Sequence, residues 1–220
     1  MGFPQGEKYT SSRAQSEQLE TQFKRKAAWM QQHGTPTWNG EFGPVYADPA
    51  LDSNAAAINE ARYALLAQQL RIYDSARIHW TIWLYKDIGL QGMVHVDPSS
   101  AYMRRIAAFL KRKRELMLDA WGRRPQEQVE WVIGPLVEWI NESCPESNGR
   151  YPTPWNTHRQ MIRVINQLWM AGCVQDEFAS LFKDMTKEEL DECARSFAFE
   201  NCMQREGLNK ALEEHAAVRT

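Results

Sequence analysis

Two short aromatic segments with a single helix between them leave few folds open to this 220-residue chain. Pro36 to Phe42 is rich in Trp, Thr and Phe, is too short for a stable helix, and closes with Gly40, Glu41, Phe42 and Gly43; it reads as a strand. Arg77 to Tyr85 carries Ile78, Trp80, Ile82, Trp83 and Tyr85 and reads as a second, buried strand. Between them, Asn54 to Ala76 shows a helical period through Ile58, Ala61, Leu65 and Tyr73. About 35 residues with one helix suit a right-handed βαβ crossover, so the spacing predicts two parallel neighbouring strands. Two parallel strands do not make an independent sheet, because such strands are normally covered on both faces and need neighbours at their edges. The pattern therefore predicts further strands, either from another chain or from a larger fold of which this is the C-terminal piece.

The flanking segments are helical. From Ser16 to His33 the apolar positions Leu19, Phe23, Ala27 and Met30 recur every three or four residues, and Gly34 follows as a C′ residue. Pro44 and Pro49 make a loop after the first strand. Beyond Gly89, Asp97-Pro98-Ser99-Ser100 offers a helix start, and Tyr102, Ile106, Phe109, Leu110 and Met117 trace one stripe. The basic run Lys111 to Arg114 at the far end of that stripe reads as a solvated face near a helix C-terminus. A break from Pro145 to Pro154 precedes a final helical region, where Thr186 and Glu189 form a capping box ahead of Leu190, Cys193 and Phe197. Asn141-Glu142-Ser143 fits a glycosylation acceptor but needs a secretory route that nothing in the sequence supports.

Composition excludes several classes of function. The chain is 43% hydrophobic and 25% charged, enough apolar material for a sizeable core and unlike a disordered chain. With 26 basic and 28 acidic residues it has no global electrostatic case for nucleic acid or for an anionic membrane. No apolar run approaches the roughly 20 residues needed to span a bilayer, and Met1 to Thr10 lacks the basic-then-apolar order of a signal peptide. The expected location is cytoplasmic, with the reservation that the native N-terminus need not be Met1. Cys144, Cys173, Cys193 and Cys202 show no C-x-x-C spacing and read as buried free thiols. His79 and His95 have no partner at metal spacing and read as structural, so no metal ligands are assigned.

Chemistry concentrates at the C-terminal ends of the two strands. In Trp38-Asn39-Gly40-Glu41-Phe42-Gly43 a carboxylate ends a strand with glycines on both sides of the Glu-Phe pair, leaving room for a ligand to approach. The bland alternative makes Glu41 a strand-end residue paired with a cation such as Lys86. Trp83 occupies the matching end of the second strand, followed by Tyr85, Lys86 and Asp87. An indole face packs well against the axial C–H groups of a pyranose, so a carboxylate beside an aromatic platform is what a glycosidase needs. Against this, Trp83, and more so Trp38 and Trp80, also read as fillers of a sheet interior. Six further tryptophans, Trp29, Trp121, Trp131, Trp139, Trp155 and Trp169, read as packing residues.

With these residues in view, the chain resembles the C-terminal portion of glycoside hydrolase family 5, retaining β-glycosidases built on a (β/α)8 TIM barrel. Thr37 to Gly43 is similar to the family's seventh strand, whose glutamate is the nucleophile, which implies that role for Glu41. Trp80 to Asp87 is similar to the eighth strand, whose tryptophan lies beneath the sugar being cleaved, which implies that role for Trp83. Asn39 and Lys86, within the same motifs, are the further candidates for substrate binding. The resemblance implies the last two β/α units of a barrel over 1–118 and a mainly α-helical extension over 119–220, like that of a cellulase-like branch of the family. It implies a carbohydrate substrate of β-glucoside or β-glucan type, polysaccharide catabolism, and no cofactor.

The departures matter as much. The family's acid/base glutamate stands in an Asn-Glu pair after the fourth strand, whereas Asn59-Glu60 and Asn141-Glu142 both fall in helical segments here. Retaining hydrolysis needs two carboxyl groups about 5 to 5.5 Å apart, and Glu41 supplies one. Six missing units of about 31 residues each would place about 190 residues upstream, with Met1 an internal methionine. The expectation for the 220-residue chain alone is negligible turnover. The alternatives are a non-catalytic carbohydrate-binding or helical interaction module, and a barrel completed by another polypeptide.

Overall fold

The computed structural model describes residues 8–50, 52–116, 118, 127–147 and 156–217. The N-terminal Met1 to Glu7, Met117, Trp121, Trp155 and the end of the proline-rich break at Pro154 lie outside the described residues. The chain divides into two compact units, 1–98 with 196–220, and 99–195.

The first unit begins with α1 (Arg13–Gln32). Ser12 Oγ caps it by accepting from the Gln15 amide at 3.3 Å. Leu19, Phe23 and Ala27 are buried on one stripe with Met30 packed beside them, as the spacing predicts. Gly34, at φ +61°, reverses the chain, and Thr35 N–H donates back to the Met30 carbonyl at 2.9 Å. Next come β1 (Trp38–Phe42), α2 (Ala55–Ser75) and β2 (His79–Ile82). β1 and β2 pair in parallel, with Trp38 opposite His79, Asn39 opposite Trp80 and Phe42 opposite Ile82. Three residues on β1 thus span two on β2, so the first strand carries an irregularity between Asn39 and Phe42.

Helix α2 covers one face of this pair. Its fully buried stripe is Leu66, Gln69, Leu70 and Tyr73, whereas the expected Ile58, Ala61 and Leu65 are only half-buried. Polar Gln69 masks the period in the sequence, and packing on more than one side spreads burial around the helix. Phe42 meets Tyr73 edge-on at 4.9 Å and Trp80 at 5.7 Å between ring centroids. These rings join Leu19, Phe23, Leu66, Leu70, Ile78 and Leu208 in one core.

The second strand does not run to Tyr85. It ends at Ile82, the Trp83–Leu84 peptide is cis, and a separate three-stranded sheet follows: β3 (Lys86–Asp87), β4 (Val94–Val96) and β5 (Cys202–Gln204). β3 and β4 are parallel, β4 and β5 antiparallel, and Val96 stands opposite Cys202. The closing helix α9 (Glu206–Ala217) packs on α2, burying Leu208 completely. His215 Nε2 pairs with Asp74 Oδ2 at 2.7 Å, and Asp74 Oδ1 accepts from Trp80 Nε1 at 3.2 Å. The final helix thus belongs with the strand-bearing unit, and the units part at Pro98/Ser99 and Arg195/Ser196 instead of at a single cut after residue 118.

The second unit is helical. It contains α3 (Ala101–Glu115), α4 (Glu127–Ser143), α5 (Thr157–Ile162) with its π-helical continuation Arg163–Met170, α6 (Ala171–Cys173), α7 (Gln175–Ser180) and α8 (Lys187–Arg195). Ser100 caps α3, and Tyr102, Phe109, Phe178 and Phe182 form a ladder of ring contacts beside it. Arg112 of the basic run pairs with Glu177 at 2.9 Å. Ile133, Val137 and Ile162 make a small core, and His158 pairs with Glu130 at 2.7 Å. The capping box forms as read, Glu189 N–H donating to Thr186 Oγ1 at 3.2 Å and Thr186 N–H to Glu189 Oε2 at 2.8 Å. Two readings are corrected here. Of the four thiols only Cys193 is buried, Cys144 and Cys173 being exposed. Trp29, Trp131, Trp139 and Trp169 are exposed as well, because each faces away from its helix's buried stripe.

Candidate active site

The β1–β2 pair has two unlike faces. Toward α2 it presents Phe42, Trp80 and Ile82, all in the core. Asn39 turns the same way and hydrogen-bonds the Tyr73 hydroxyl, whose pKa burial pushes up to about 12 against the opposing pull of that bond. The opposite face is open. There Trp38, 68% exposed, donates from Nε1 to Thr81 Oγ1 across the pair at 3.0 Å.

Glu41 precedes Phe42 in β1, and Trp83 follows Ile82, the last residue of β2. Glu41 is exposed and Trp83 is 45% exposed. Phe42 and Ile82 are register partners, and Trp83 N–H donates to the Phe42 carbonyl at 2.7 Å. Glu41 and Trp83 are therefore chain neighbours of one cross-strand pair at the C-terminal ends of both strands. Gly43 makes this approach possible. At φ +150° a Cβ there would lie 2.7 Å from the Trp83 carbonyl oxygen, closer than two such atoms can come.

The other two candidates are engaged elsewhere. Asn39 lies on the α2 side with Tyr73, because the irregularity after it puts Asn39 and Phe42 on one face. Lys86 Nζ donates to the Phe197 carbonyl and is not an ion-pair partner of Glu41. His95 Nδ1 lies 3.1 Å from the Val96 carbonyl between two buried valines.

Sequence reasoning missed the loop that follows Trp83. Asp87 folds it by accepting from the Gly89 and Gln91 amides at 2.8 and 2.6 Å, and Gln91 Nε2 reaches the Gly43 carbonyl at 3.4 Å. Arg205 pins it from the far end of the chain, donating to the Gly92 and Gly89 carbonyls at 2.9 and 2.8 Å. Its guanidinium lies 4.4 Å over the Tyr46 ring. Burial drives the pKa of Tyr46 far above the tyrosine range, although Arg205 and Arg62 pull it down. Arg205 is 116 residues from Gly89, a separation at which no local motif could reveal the contact.

Among the described residues no three His, Cys, Asp or Glu side chains converge as a metal site, and no helix is long and apolar enough to cross a membrane. No protein-family model matches the chain. No solved structure matches it either. The chain is similar to a protein named beta-xylosidase from Phanerodontia chrysosporium, with 42% identity over 221 residues. The aligned region takes in 99% of this chain and 46% of that relative, so the chain spans about half the length of the curated relative it matches.

Proposed function

We propose that these residues form the nucleophile end of a retaining β-glycosidase of the family 5 type, acting on a β-xyloside or a related β-glycoside. The observation that carries the reading is the placement of Glu41 and Trp83, both exposed, next to the Phe42–Ile82 pair at the C-terminal ends of two parallel strands. Ligands of parallel α/β folds are held at that end. The name of the relative supports a glycosidase and favours xylose, whose pyranose ring offers a flat C–H face to an indole.

In this mechanism Trp83 lies beneath the sugar and a Glu41 oxygen attacks the anomeric carbon. As that C–O bond forms, the bond to the leaving oxygen breaks, and the oxygen takes a proton from a second carboxyl group. Water, deprotonated by the same group, then attacks the glycosyl-enzyme and frees Glu41. Neither Asn-Glu pair here serves as that acid: Asn59 is held by the Ala47 backbone at 2.7 and 3.0 Å with Glu60 beside it on α2, and Asn141-Glu142 ends α4. The proposal assigns the acid, and the strands that complete a (β/α)8 barrel around β1 and β2, to polypeptide beyond these residues.

The test is covalent trapping. The protein expressed from its complete gene is incubated with a 2-fluoro-β-xyloside bearing a good leaving group, and its peptides are weighed. A single adduct on the peptide containing Glu41, absent in Glu41→Gln, is expected; an adduct on another carboxylate overturns the assignment. The exposed Trp131, Trp139 and Trp169 favour a second reading, in which the helical unit is a sugar-binding or interaction module. Sugar binding without turnover or adduct would favour it.

A further inference from the structure

We infer that Tyr85 and Phe199 form a second sugar-stacking platform beside Trp83, so that the site takes a β-linked oligosaccharide of at least two units. This rests on the glycosidase reading of Glu41 and Trp83 and adds a subsite to it. The two rings lie only 4° from parallel with centroids 6.2 Å apart. Face-to-face carbon contact would bring them to roughly 3.5–4 Å, so the rings are offset along their planes and each leaves a flat area uncovered. Tyr85 is 59% exposed and Phe199 54%. Together the two faces offer an apolar surface of the kind that a sugar ring can stack on.

The pair is held in place. Lys86, next to Tyr85, donates from Nζ to the carbonyl of Phe197, two residues before Phe199. On the other side, Phe199 sits in a 3-10 turn, Phe199–Asn201, that leads directly into β5, whose Cys202 is paired with Val96. Val94 N–H donates to the Tyr85 carbonyl at 2.9 Å, which fixes the backbone carrying the other ring. The backbone that carries each ring is thus tied down before a ligand arrives, which lowers the ordering cost of binding. Tyr85 is two residues beyond Trp83, and two peptide units cannot set their Cα atoms more than about 7.6 Å apart. The inference places the platform under the sugar unit adjoining the one on Trp83. Lys86, in this arrangement, is a positioning residue for Phe199.

The experiment compares two substrates in the protein expressed from its complete gene: an aryl β-xyloside, which offers one sugar, and xylotetraose. For Phe199→Ala and Tyr85→Ala, the ratio of kcat/KM for xylotetraose to that for the aryl xyloside is expected to fall about 3- to 10-fold. Phe199→Tyr, which keeps a ring, is expected to restore the ratio. Phe199→Leu, which keeps apolar packing without a ring, is not. Calorimetric titration of xylotetraose into Glu41→Gln, with and without Phe199→Leu, gives a readout independent of turnover, and a matching loss of affinity is expected. An unchanged ratio and unchanged affinity in the Phe199→Leu protein would overturn the inference while leaving the Glu41 reading intact. Full activity in Glu41→Gln would instead overturn the reading on which it rests.

Discussion

At the scale of single residues, the order of residue types shows where chemistry can sit but not which way each side chain turns. That Glu41 and Gly43 stand at the end of β1 and Trp83 just past the end of β2 is legible, because a carboxylate between glycines and a tryptophan after an aromatic run are local patterns. The irregularity that turns Asn39 toward Tyr73 is visible only once β1 is paired with β2. Lys86 finds its acceptor 111 residues away, which the sequence around it cannot announce. The burial of Tyr73 has a consequence for pH. The Tyr73 hydroxyl titrates near 12 in the fold, against about 10 in an unfolded chain. Between those values the unfolded state binds fewer protons than the folded one, so stability is full below pH 10 and falls as pH rises through 12. Replacing Tyr73 by Phe is expected to flatten the decline of the urea midpoint above pH 10. A Tyr73→Phe decline as steep as that of the parent would show that Tyr73 ionises freely in the fold.

At the scale of elements, the long periodic segments are legible and the short, non-local ones are not. α1 follows its predicted stripe because one face meets the core and the rest meets water. β3, β4 and β5 are two or three residues each, so no periodicity can accumulate within them, and β5 is held by the distant β4 through pairs such as Gln204 with Val94. α9 is likewise placed by partners distant in the chain. Its partners show its place: Leu208 is fully buried in the core with Leu66 and Leu70, and His215 closes on Asp74. Leu208→Ala is therefore expected to cost about 2–5 kcal/mol in urea unfolding of the strand-bearing unit. A loss under 1 kcal/mol would mean that α9 is only loosely docked.

At the scale of the whole molecule, the sequence suggests a barrel fragment followed by a helical tail, while the structure has the helical unit inserted within the strand-bearing one. A reading along the chain misses this because composition changes at the start of the insertion, near Asp97, and does not change back at its end. The antiparallel pairing of Val96 with Cys202 marks the return. That pairing brings the two ends of the insertion together, since paired residues of neighbouring strands lie about 4.5–5.5 Å apart at Cα. Each unit also has its own core: the rings and leucines around Tyr73 draw on no residue between 99 and 195, and Ile133, Val137 and Ile162 lie wholly within that range. A chain in which a few Gly and Ser residues replace 99–195 should keep β4 paired with β5 and α9 docked on α2. Hydrogen exchange is the measurement, with the amides of Leu66 to Tyr73 and Leu208 to Leu212 as probes, and protection within tenfold of the parent chain is expected. Loss of protection at both sets together would mean that the helical unit is needed to hold the strand-bearing core, and that the two cores unfold as one.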